Sequence, residues 1–391
     1  MVSQNLHMIL TVVGAVLLVA GMVAVVSAGR ARDGIPAAGW FPDPASHAPR
    51  QRRWDSRAWT GDTREGAQAA ERGHRFRGRF WGWSWVASLL AAFVVLGVGA
   101  AVYTSSDQIH VMGVASLVGM ALVCWAFYRF VNRQLTLDDV IGPVELLAVV
   151  VASSGAVLLV AANVNSWIID GAGIQTATAL VGLVEEGTKL IVPLALFVLG
   201  RYHDPRAGIA VGLASGFGFA ITETTQYAYQ TAAASGPNFC GTGTVDTTPT
   251  MVVQEQIFRI LTVSPLHWLW TGIAVAIAWR LWHLHGRRGT PGAVGGIVLV
   301  MVVHSLNDSS VTAFCDDASA QTLASLLRWV LLVVMYLTFR AWARKSTPPQ
   351  LIGRVSRGWT PKHLPRHTGG PTHVDAGSTR ESGDRTPGST D

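Results

Sequence analysis

The sequence predicts an all-α polytopic membrane protein with about nine transmembrane helices, a small cytoplasmic Trp-rich module and a disordered C-terminal tail. Half of its 391 residues are hydrophobic and 14% are charged, whereas a soluble globular protein has about 25% charged residues. The mean hydropathy is +0.34. Apolar runs of membrane-spanning length recur along the chain, and basic residues concentrate in alternate connections. These observations exclude an ordinary soluble domain.

Nine apolar runs approach the roughly 20 residues that a spanning helix needs. The first could be a signal peptide, but positive charge follows it at Arg30 and Arg32 and none precedes it, so we expect an uncleaved anchor. The last run is the weakest because it contains Arg328. The nine runs are residues 7–28, 81–104, 111–131, 143–164, 176–200, 207–230, 263–283, 292–312 and 320–343.

The basic residues indicate which ends of the spans face the cytoplasm. The stretch from Arg30 to Arg79 holds eleven arginines, whereas the connections 105–110, 165–175 and 313–320 have no Lys or Arg. Because cytoplasmic loops carry the excess of positive charge, we expect the N-terminus outside and the C-terminus in the cytoplasm. These loops also account for the net charge of +6, so no nucleic acid partner is predicted. The oligomeric state stays open.

The chain divides into five parts by composition. The tail is rich in Pro, Gly, Ser, Thr and charged residues, and such a segment buries too little apolar surface to offset the entropy of ordering. The parts are an N-terminal transmembrane anchor (1–30), a Trp-rich cytoplasmic module (34–63), a basic linker (64–80), a polytopic domain (81–343) and a disordered cytoplasmic tail (346–391).

The Trp-rich module has a recognisable order of fixed residues. It reads Gly39-Trp40-Phe41-Pro42-Asp43-Pro44, then Arg53-Trp54-Asp55 and Trp59-Thr60. This pattern resembles a short Trp-rich domain of unknown function that is widespread in actinobacterial membrane proteins. The resemblance implies a compact packing or protein-interaction unit, and it favours neither catalysis nor a cofactor.

Two adjacent carboxylates, Glu185 and Glu186, lie in the middle of the fifth apolar run. A charge at the centre of a membrane helix costs roughly 2.5–3.5 kcal/mol on insertion scales, so intramembrane carboxylates mark functional sites. Lys189 follows four and three residues later, which places it on the same helical face as the pair. Adjacent residues diverge by about 100°, so we expect one glutamate to pair with Lys189 and the other to face a reaction centre.

Three later runs each carry another ionisable group: Glu223, His267 and His304. By span parity these three, like the glutamate pair, fall between the membrane centre and its outer surface. Asn307 and Asp308 follow His304 within about one turn and are expected to support it, as carboxylates and amides often orient histidine at metal and catalytic sites. The convergence of these groups in one leaflet predicts chemistry within the membrane.

Two mechanisms fit these residue types. In one, Glu223, His267 and His304 hold zinc with an open position for water, and Glu185 or Glu186 is the general base. In the other no metal takes part: a glutamate takes a proton from water and His267 or His304 stabilises the oxyanion. No His-Glu-x-x-His helix is present to indicate a metal, and either glutamate could be the base.

The three cysteines predict one structural bond. Cys124 falls inside the third run and is expected to be buried packing. Cys240 and Cys315 both fall in connections assigned to the outside, where an oxidising compartment permits a disulfide between them.

The ordered motifs resemble the PrsW family of bacterial intramembrane proteases, which is distantly similar to the CAAX-type prenyl endopeptidases. They are Glu-Glu-x-x-Lys at Glu185, Phe-x-x-x-Glu ending at Glu223, a histidine in the context His267-Trp268-Leu269-Trp270-Thr271, and a final His304. The resemblance covers roughly residues 81–343. It implies a metalloprotease that cleaves single-pass membrane proteins such as anti-sigma factors, with Glu185, Glu186, Glu223, His267 and His304 as functional positions.

The expected function is therefore hydrolysis of a peptide bond in a membrane-tethered protein near the extracytoplasmic side. The alternative from another class is a proton-linked transporter or membrane scaffold whose buried carboxylates and histidines form a relay. The two interpretations separate on whether replacing Glu185 or Glu186 abolishes cleavage of a membrane substrate.

Overall fold

A computed structural model describes most of the membrane domain and parts of the N-terminal region. The described residues are 4–30, 39–43, 50–55, 59–65, 83–135, 137, 140–202, 204–237, 244–314 and 317–346. The predicted disulfide partners Cys240 and Cys315 lie outside these residues, as do most of the predicted linker and nearly all of the predicted tail. Cys124 is buried with a free thiol.

Long helices form the described part of the membrane domain. They are α1 (Gln4–Arg30), α2 (Ser84–Ser106), α3 (Ile109–Leu135), α4 (Pro143–Ala156), α5 (Ala162–Ala172), α6 (Ile174–Val198), α7 (Pro205–Ala232), α8 (Pro249–Phe258), α9 (Ser264–His285), α10 (Thr290–Ala313) and α11 (Ala318–Lys345). A π-turn at Val157–Ala161 joins α4 to α5, and a second at Arg259–Val263 joins α8 to α9.

Seven segments of the described chain are long and apolar enough to cross a membrane. One of them, Pro249–Ser310, contains both α9 and most of α10. Helix α6 has the length of a span but carries three charged residues within its apolar stretch, so its composition alone does not identify it as a membrane span. The predicted all-α polytopic membrane fold is confirmed, and the count of nine spans stays a prediction.

Helices α7 and α9 form the buried centre of the bundle. Gly208, Gly212 and Gly216 follow one another every four residues along α7, where an added Cβ would press against Trp279, Val275 and Trp268 of α9. Small residues let membrane helices approach closely, because packing rather than the hydrophobic effect holds them together. This contact fixes Glu223 of α7 at the level of His267 of α9.

Helices α6 and α10 approach as closely at one glycine. A Cβ at Gly182 would overlap the Met301 carbonyl oxygen, and the Gly182 amide donates a hydrogen bond to Ser305 Oγ at 3.1 Å. Glu186 follows Gly182 by one turn, and His304 directly precedes Ser305. The glycine contact therefore sets the distance between those two side chains.

Helix α1 packs on the first half of the polytopic domain. Gly14 and Gly21 lie against the backbone of α4 and its π-turn, and Gly155 of α4 lies against Leu18. Near its N-terminal end, Thr11 accepts a hydrogen bond from Asn163 of α5 at 3.2 Å. The N-terminal helix is thus an integral part of the bundle.

Two small antiparallel sheets complete the described structure. Strands β1 (Gly39–Pro42), β2 (Arg50–Trp54) and β3 (Trp59–Glu65) pair in that order, and Asp43 forms ion pairs with Arg50 and Arg52. Strand β3 extends two residues beyond the predicted end of the Trp-rich module. Strands β4 (Ser235–Pro237) and β5 (Thr244–Asp246) form a hairpin between α7 and α8.

Candidate active site

The structure brings the five predicted site residues into one buried cluster. Glu185 and Glu186 come from the middle of α6, Glu223 from α7, His267 from α9 and His304 from α10. Glu186, His267 and His304 are at most 2% exposed, and Glu185 is 5% exposed. By their positions along the helices they lie toward the end of the bundle that carries the β4–β5 hairpin.

Glu186 uses both carboxylate oxygens in contacts with neighbouring side chains. Its Oε1 accepts hydrogen bonds from Lys189 Nζ at 2.6 Å and from His304 Nδ1 at 2.9 Å. Its Oε2 accepts one from Thr271 Oγ1 at 3.0 Å. Glu186 therefore uses both oxygens to orient other groups.

Glu223 makes the equivalent contact with the second histidine. Its Oε2 lies 2.8 Å from His267 Nε2 and 2.7 Å from Arg259 Nη2, although neither contact is aligned as a good hydrogen bond. We call Lys189–Glu186–His304 the Lys189 chain and Arg259–Glu223–His267 the Arg259 chain. Each consists of a buried cation, a carboxylate and an imidazole in that order.

Glu185 lies where the two chains meet. Its Oε2 is 3.5 Å from His304 Nε2 and 3.9 Å from His267 Nδ1. It is buried and has no hydrogen-bond partner, as is also true of His304 Nε2. The other oxygen, Oε1, is 3.5 Å from the Asn165 side-chain amide. Of the adjacent glutamates, Glu185 is thus the one with an oxygen available for chemistry.

The two chains also determine which imidazole nitrogen carries the proton. His304 Nδ1 donates to Glu186, which leaves the Nε2 lone pair facing Glu185. Lys189 Nζ, 3.0 Å from His267 Nδ1, can only donate, so that ring carries its proton on Nε2 beside Glu223. In their neutral forms, both rings therefore present an unprotonated nitrogen toward Glu185 Oε2.

These atoms fit a metal ion by number, type and spacing. Glu185, His267 and His304 each offer one ligand atom, and the three atoms lie within 4.8 Å of one another. Ligands about 2.1 Å from a tetrahedral zinc ion stand roughly 3.4 Å apart, close to the 3.5 and 3.9 Å observed. Two histidines and one glutamate form the ligand set of many zinc hydrolases.

The charge of the surrounding network also suits a divalent cation. Five carboxylates and three cations are connected through the site, so negative charges exceed positive ones by two when the imidazoles are neutral. The carboxylates are Glu185, Glu186, Glu223, Glu255 and Asp308, and the cations are Lys189, Arg259 and Arg328. Glu255 and Asp308 are about one third exposed, so the buried ion pairs of the network join three carboxylates and two cations, and their excess of one negative charge favours binding of a compensating cation.

The predicted supporting residues Asn307 and Asp308 lie within one helical turn after His304 on α10. Asp308 Oδ2 is 3.5 Å from His304 Nε2, and Asp308 Oδ1 accepts a hydrogen bond from Asn307 at 2.7 Å. Arg328 of α11 donates to Asn307 Oδ1 at 3.2 Å. Arg328, the charge that made the last apolar run the weakest candidate for a span, therefore lies on the side of α11 that faces the candidate site.

Aromatic rings enclose the imidazoles. Trp270 stacks on His304 with ring centroids 4.0 Å apart, and Phe219 lies 4.9 Å from the His267 ring. Lys189 Nζ is 3.9 Å from the centroid of the Phe219 ring, a cation–π contact. These rings hold the imidazole planes in place.

Sequence reasoning did not identify three residues of this site: Arg259, Thr271 and Asn165. Arg259 had a signal, because it is the only Lys or Arg between residues 231 and 262. That connection was expected to face the outside, where Lys and Arg are disfavoured. Thr271 also had one, because it follows His267 by one helical turn. Asn165 had none, since its position depends on the π-turn before α5.

Buried carboxylates and imidazoles that converge inside a multi-pass helical bundle define an intramembrane hydrolase site of the metal-dependent type. A family model described as PrsW family intramembrane metalloprotease matches residues 142–340, and the chain belongs to this family. It is therefore an intramembrane endopeptidase. The match starts after α3, so α1–α3 and the β1–β3 sheet lie outside it. No curated protein and no solved structure matches the chain.

Proposed function

We propose that the protein hydrolyses a peptide bond of a membrane-tethered protein, such as an anti-sigma factor, near the extracytoplasmic side, and that Glu185 activates the water. The observation that carries the proposal is Glu185 Oε2, which is buried, has no hydrogen-bond partner and lies 3.5 Å from His304 Nε2 and 3.9 Å from His267 Nδ1. A carboxylate in that position can accept a proton from a water held between the rings.

We further propose that Glu185, His267 and His304 hold a zinc ion. Bound there, zinc would polarise the scissile carbonyl and acidify the attacking water. His267 would then have to release its 3.0 Å contact with Lys189 Nζ, which leaves the 2.6 Å Lys189–Glu186 pair intact. With zinc bound, Oε2, which faces both rings, would be the ligand, and Oε1 beside Asn165 would take over as proton acceptor.

This assignment exchanges the roles that the sequence suggested for two glutamates. Glu223 was the expected ligand, but its carboxylate lies against Arg259 and the protonated nitrogen of His267. Such a carboxylate orients the ring rather than binding the metal itself. Glu186 does the same for His304. We therefore assign Glu185 to the reaction and both other glutamates to positioning the histidines.

The orientation of the bundle determines where cleavage occurs. The basic connections and the site lie toward opposite ends of the bundle, and basic connections face the cytoplasm. With the N-terminus outside and the C-terminus inside, the site falls in the outer half of the membrane. A substrate's transmembrane segment would therefore be cut near its extracytoplasmic end.

The proposal is tested by replacing Glu185 with Gln in the full-length chain reconstituted in liposomes. A single-pass reporter protein serves as substrate, and Glu65→Gln, an exposed change in β3, is the matched control. We expect Glu185→Gln to lower the cleavage rate by about 10²–10⁴-fold, the usual contribution of a general base, and Glu65→Gln to leave it unchanged. Wild-type cleavage by Glu185→Gln would overturn the proposed function.

The metal is tested separately. Purified protein is assayed for zinc content, treated with a chelator, and then resupplied with zinc. We expect loss and recovery of zinc to parallel loss and recovery of cleavage, and Glu185→Gln to bind zinc more weakly than Glu65→Gln. Full activity in protein that holds no metal would overturn the zinc assignment and leave the glutamate mechanism in place.

A further inference from the structure

Arg259 is a buried arginine within an apolar segment that the metal and glutamate assignments do not use. It is 5% exposed. An arginine inside a membrane segment is costly and is retained where it pairs with another group or serves a function. Its shortest described contact is with the carboxylate of Glu223, which in turn contacts His267.

Three groups hold the Arg259 guanidinium in place. Glu223 Oε2 lies 2.7 Å from Nη2, and Glu255 lies 3.7 Å from Nη1. The guanidinium carbon is 3.4 Å from the centroid of the Tyr227 ring. Tyr227 follows Glu223 by four residues on α7, so one face of that helix supplies both the anion and the aromatic platform. Arginine has the planar cation that can both stack and pair in this way.

The π-turn at Arg259–Val263 places Arg259 and His267 on one face of their helical segment. Eight residues of α-helix advance the direction of a side chain by about 80° beyond full turns. A π-turn accommodates one extra residue, which reduces the difference to about 20°. Both side chains can then reach the same atom, Glu223 Oε2, at 2.7 and 2.8 Å.

We propose that Arg259 is a positioning residue of the protease: it fixes the Glu223 carboxylate against His267 Nε2, and so keeps His267 Nδ1 directed at Glu185. The inference rests on the proposed function, because it explains how one of the metal-binding imidazoles is held. Arg259 itself touches neither the substrate nor the reacting atoms. Its effect on His267 therefore passes through Glu223.

The test uses the full-length chain in liposomes, with zinc as the probe for the site. We expect Arg259→Gln to weaken zinc binding in chelator competition by about 10–100-fold and to lower kcat similarly, with KM unchanged. Arg259→Lys should recover part of both, because it keeps the charge without the planar contact to Tyr227. The Lys variant also serves as the test if the Gln variant does not fold.

Arg206 provides the matched control. It is equally buried, at 4% exposed, and pairs with Asp204 at 2.7 Å at the other end of α7. Arg206→Gln removes a similar ion pair, so we expect it to lower stability while zinc affinity and kcat stay at wild-type values. A general loss of packing would affect both arginine variants alike, and that result would overturn the proposal.

The route through Glu223 is tested by a double-mutant cycle. In a Glu223→Gln background, adding Arg259→Gln should change zinc affinity by less than about twofold, because its partner is already lost. The inference would be overturned if the losses of zinc affinity in the two single variants multiplied fully in the double variant. It would also be overturned if Arg259→Gln alone kept wild-type zinc affinity and kcat. A wild-type chain that binds no zinc and cuts no substrate overturns the proposed function and this inference with it.

Discussion

The two histidines of the active site are supported by chains of the same composition but of different origin. In the Lys189 chain the cation and carboxylate lie three residues apart on one helix, so a single turn of α6 builds the support for His304. In the Arg259 chain the cation and carboxylate come from separate helices and depend on a π-turn. The first support is local and enclosed, whereas the second depends on the packing of α7 against the α8–α9 segment.

Burial differs between the chains in the same sense. The side chains of Lys189 and Glu186 are at most 1% exposed, whereas those of Arg259 and Glu223 are 7% and 13% exposed. When one member of the Arg259 chain is removed, solvent can therefore partly stabilise the charge that is left without its partner. The Lys189 chain has no such compensation, so we expect changes in it to have the larger effects.

Removing the cation of the enclosed chain gives the largest expected effect. Lys189→Met leaves Glu186 as a buried charge without its cation, and breaking a buried pair in this way costs about 3–5 kcal/mol in the free energy of unfolding. The measurement is reversible unfolding in mixed micelles. Lys345→Met, at the exposed end of α11, is the control and should cost far less. Wild-type stability in Lys189→Met would show that this chain is not a buried ion pair.

The two orienting carboxylates allow a direct comparison of the chains. We expect Glu186→Gln and Glu223→Gln each to weaken zinc binding about 10–100-fold, as do changes in groups that orient metal-binding histidines. Glu186→Gln should have the larger effect, because Glu186 also accepts from Lys189 and Thr271. Chelator competition measures both. A larger effect of Glu223→Gln would reverse the proposed order of the chains.

Part of the difference between the Lys189 chain and the Arg259 chain could be predicted from the sequence. The rest could not, for a physical reason. The pairing of one glutamate with Lys189 follows from spacing along a helix, and the structure shows that the partner at close range is Glu186. Contacts between helices depend on the rotation of each helix about its axis. The π-turn before α9 changes that rotation, and nothing in the residue types of Arg259–Val263 announces it. The partner of Arg259 was therefore not predictable.

The same reasoning explains the proposed exchange of roles between Glu185 and Glu223. The sequence correctly placed both in the set that converges, because intramembrane carboxylates mark a site wherever they point. Which of them faces the unprotonated nitrogens depends on the partners already taken. The Glu223 carboxylate is already in contact with Arg259. These two residues lie on different helical segments and are 36 positions apart in the sequence.

A substitution at the glycine contact between α6 and α10 tests whether the Lys189 chain requires the two helices to pack closely. Gly182→Ala places a methyl group on the Met301 carbonyl oxygen, and overpacking of this kind costs about 1–3 kcal/mol. We expect lower stability and weaker cleavage, because His304 moves away from Glu186. Gly187→Ala on the same helix meets nothing within 4 Å and should stabilise the helix slightly. Equal behaviour of the two alanine variants would show that the α6–α10 distance is not critical.

The smallest effect is expected from the hydroxyl donor beside the Lys189 chain. Thr271 Oγ1 donates to Glu186 Oε2 at 3.0 Å, and no comparable hydroxyl bond to Glu223 occurs among the described residues. Thr271→Val keeps the shape but leaves that oxygen without its partner, which costs about 1–2 kcal/mol and lowers cleavage by about tenfold or less. Thr271→Ser retains the hydroxyl and should retain activity. If both variants cleave at the wild-type rate, the enclosed chain is held by Lys189 and His304 alone, and its advantage over the Arg259 chain comes from burial rather than from an additional hydrogen bond.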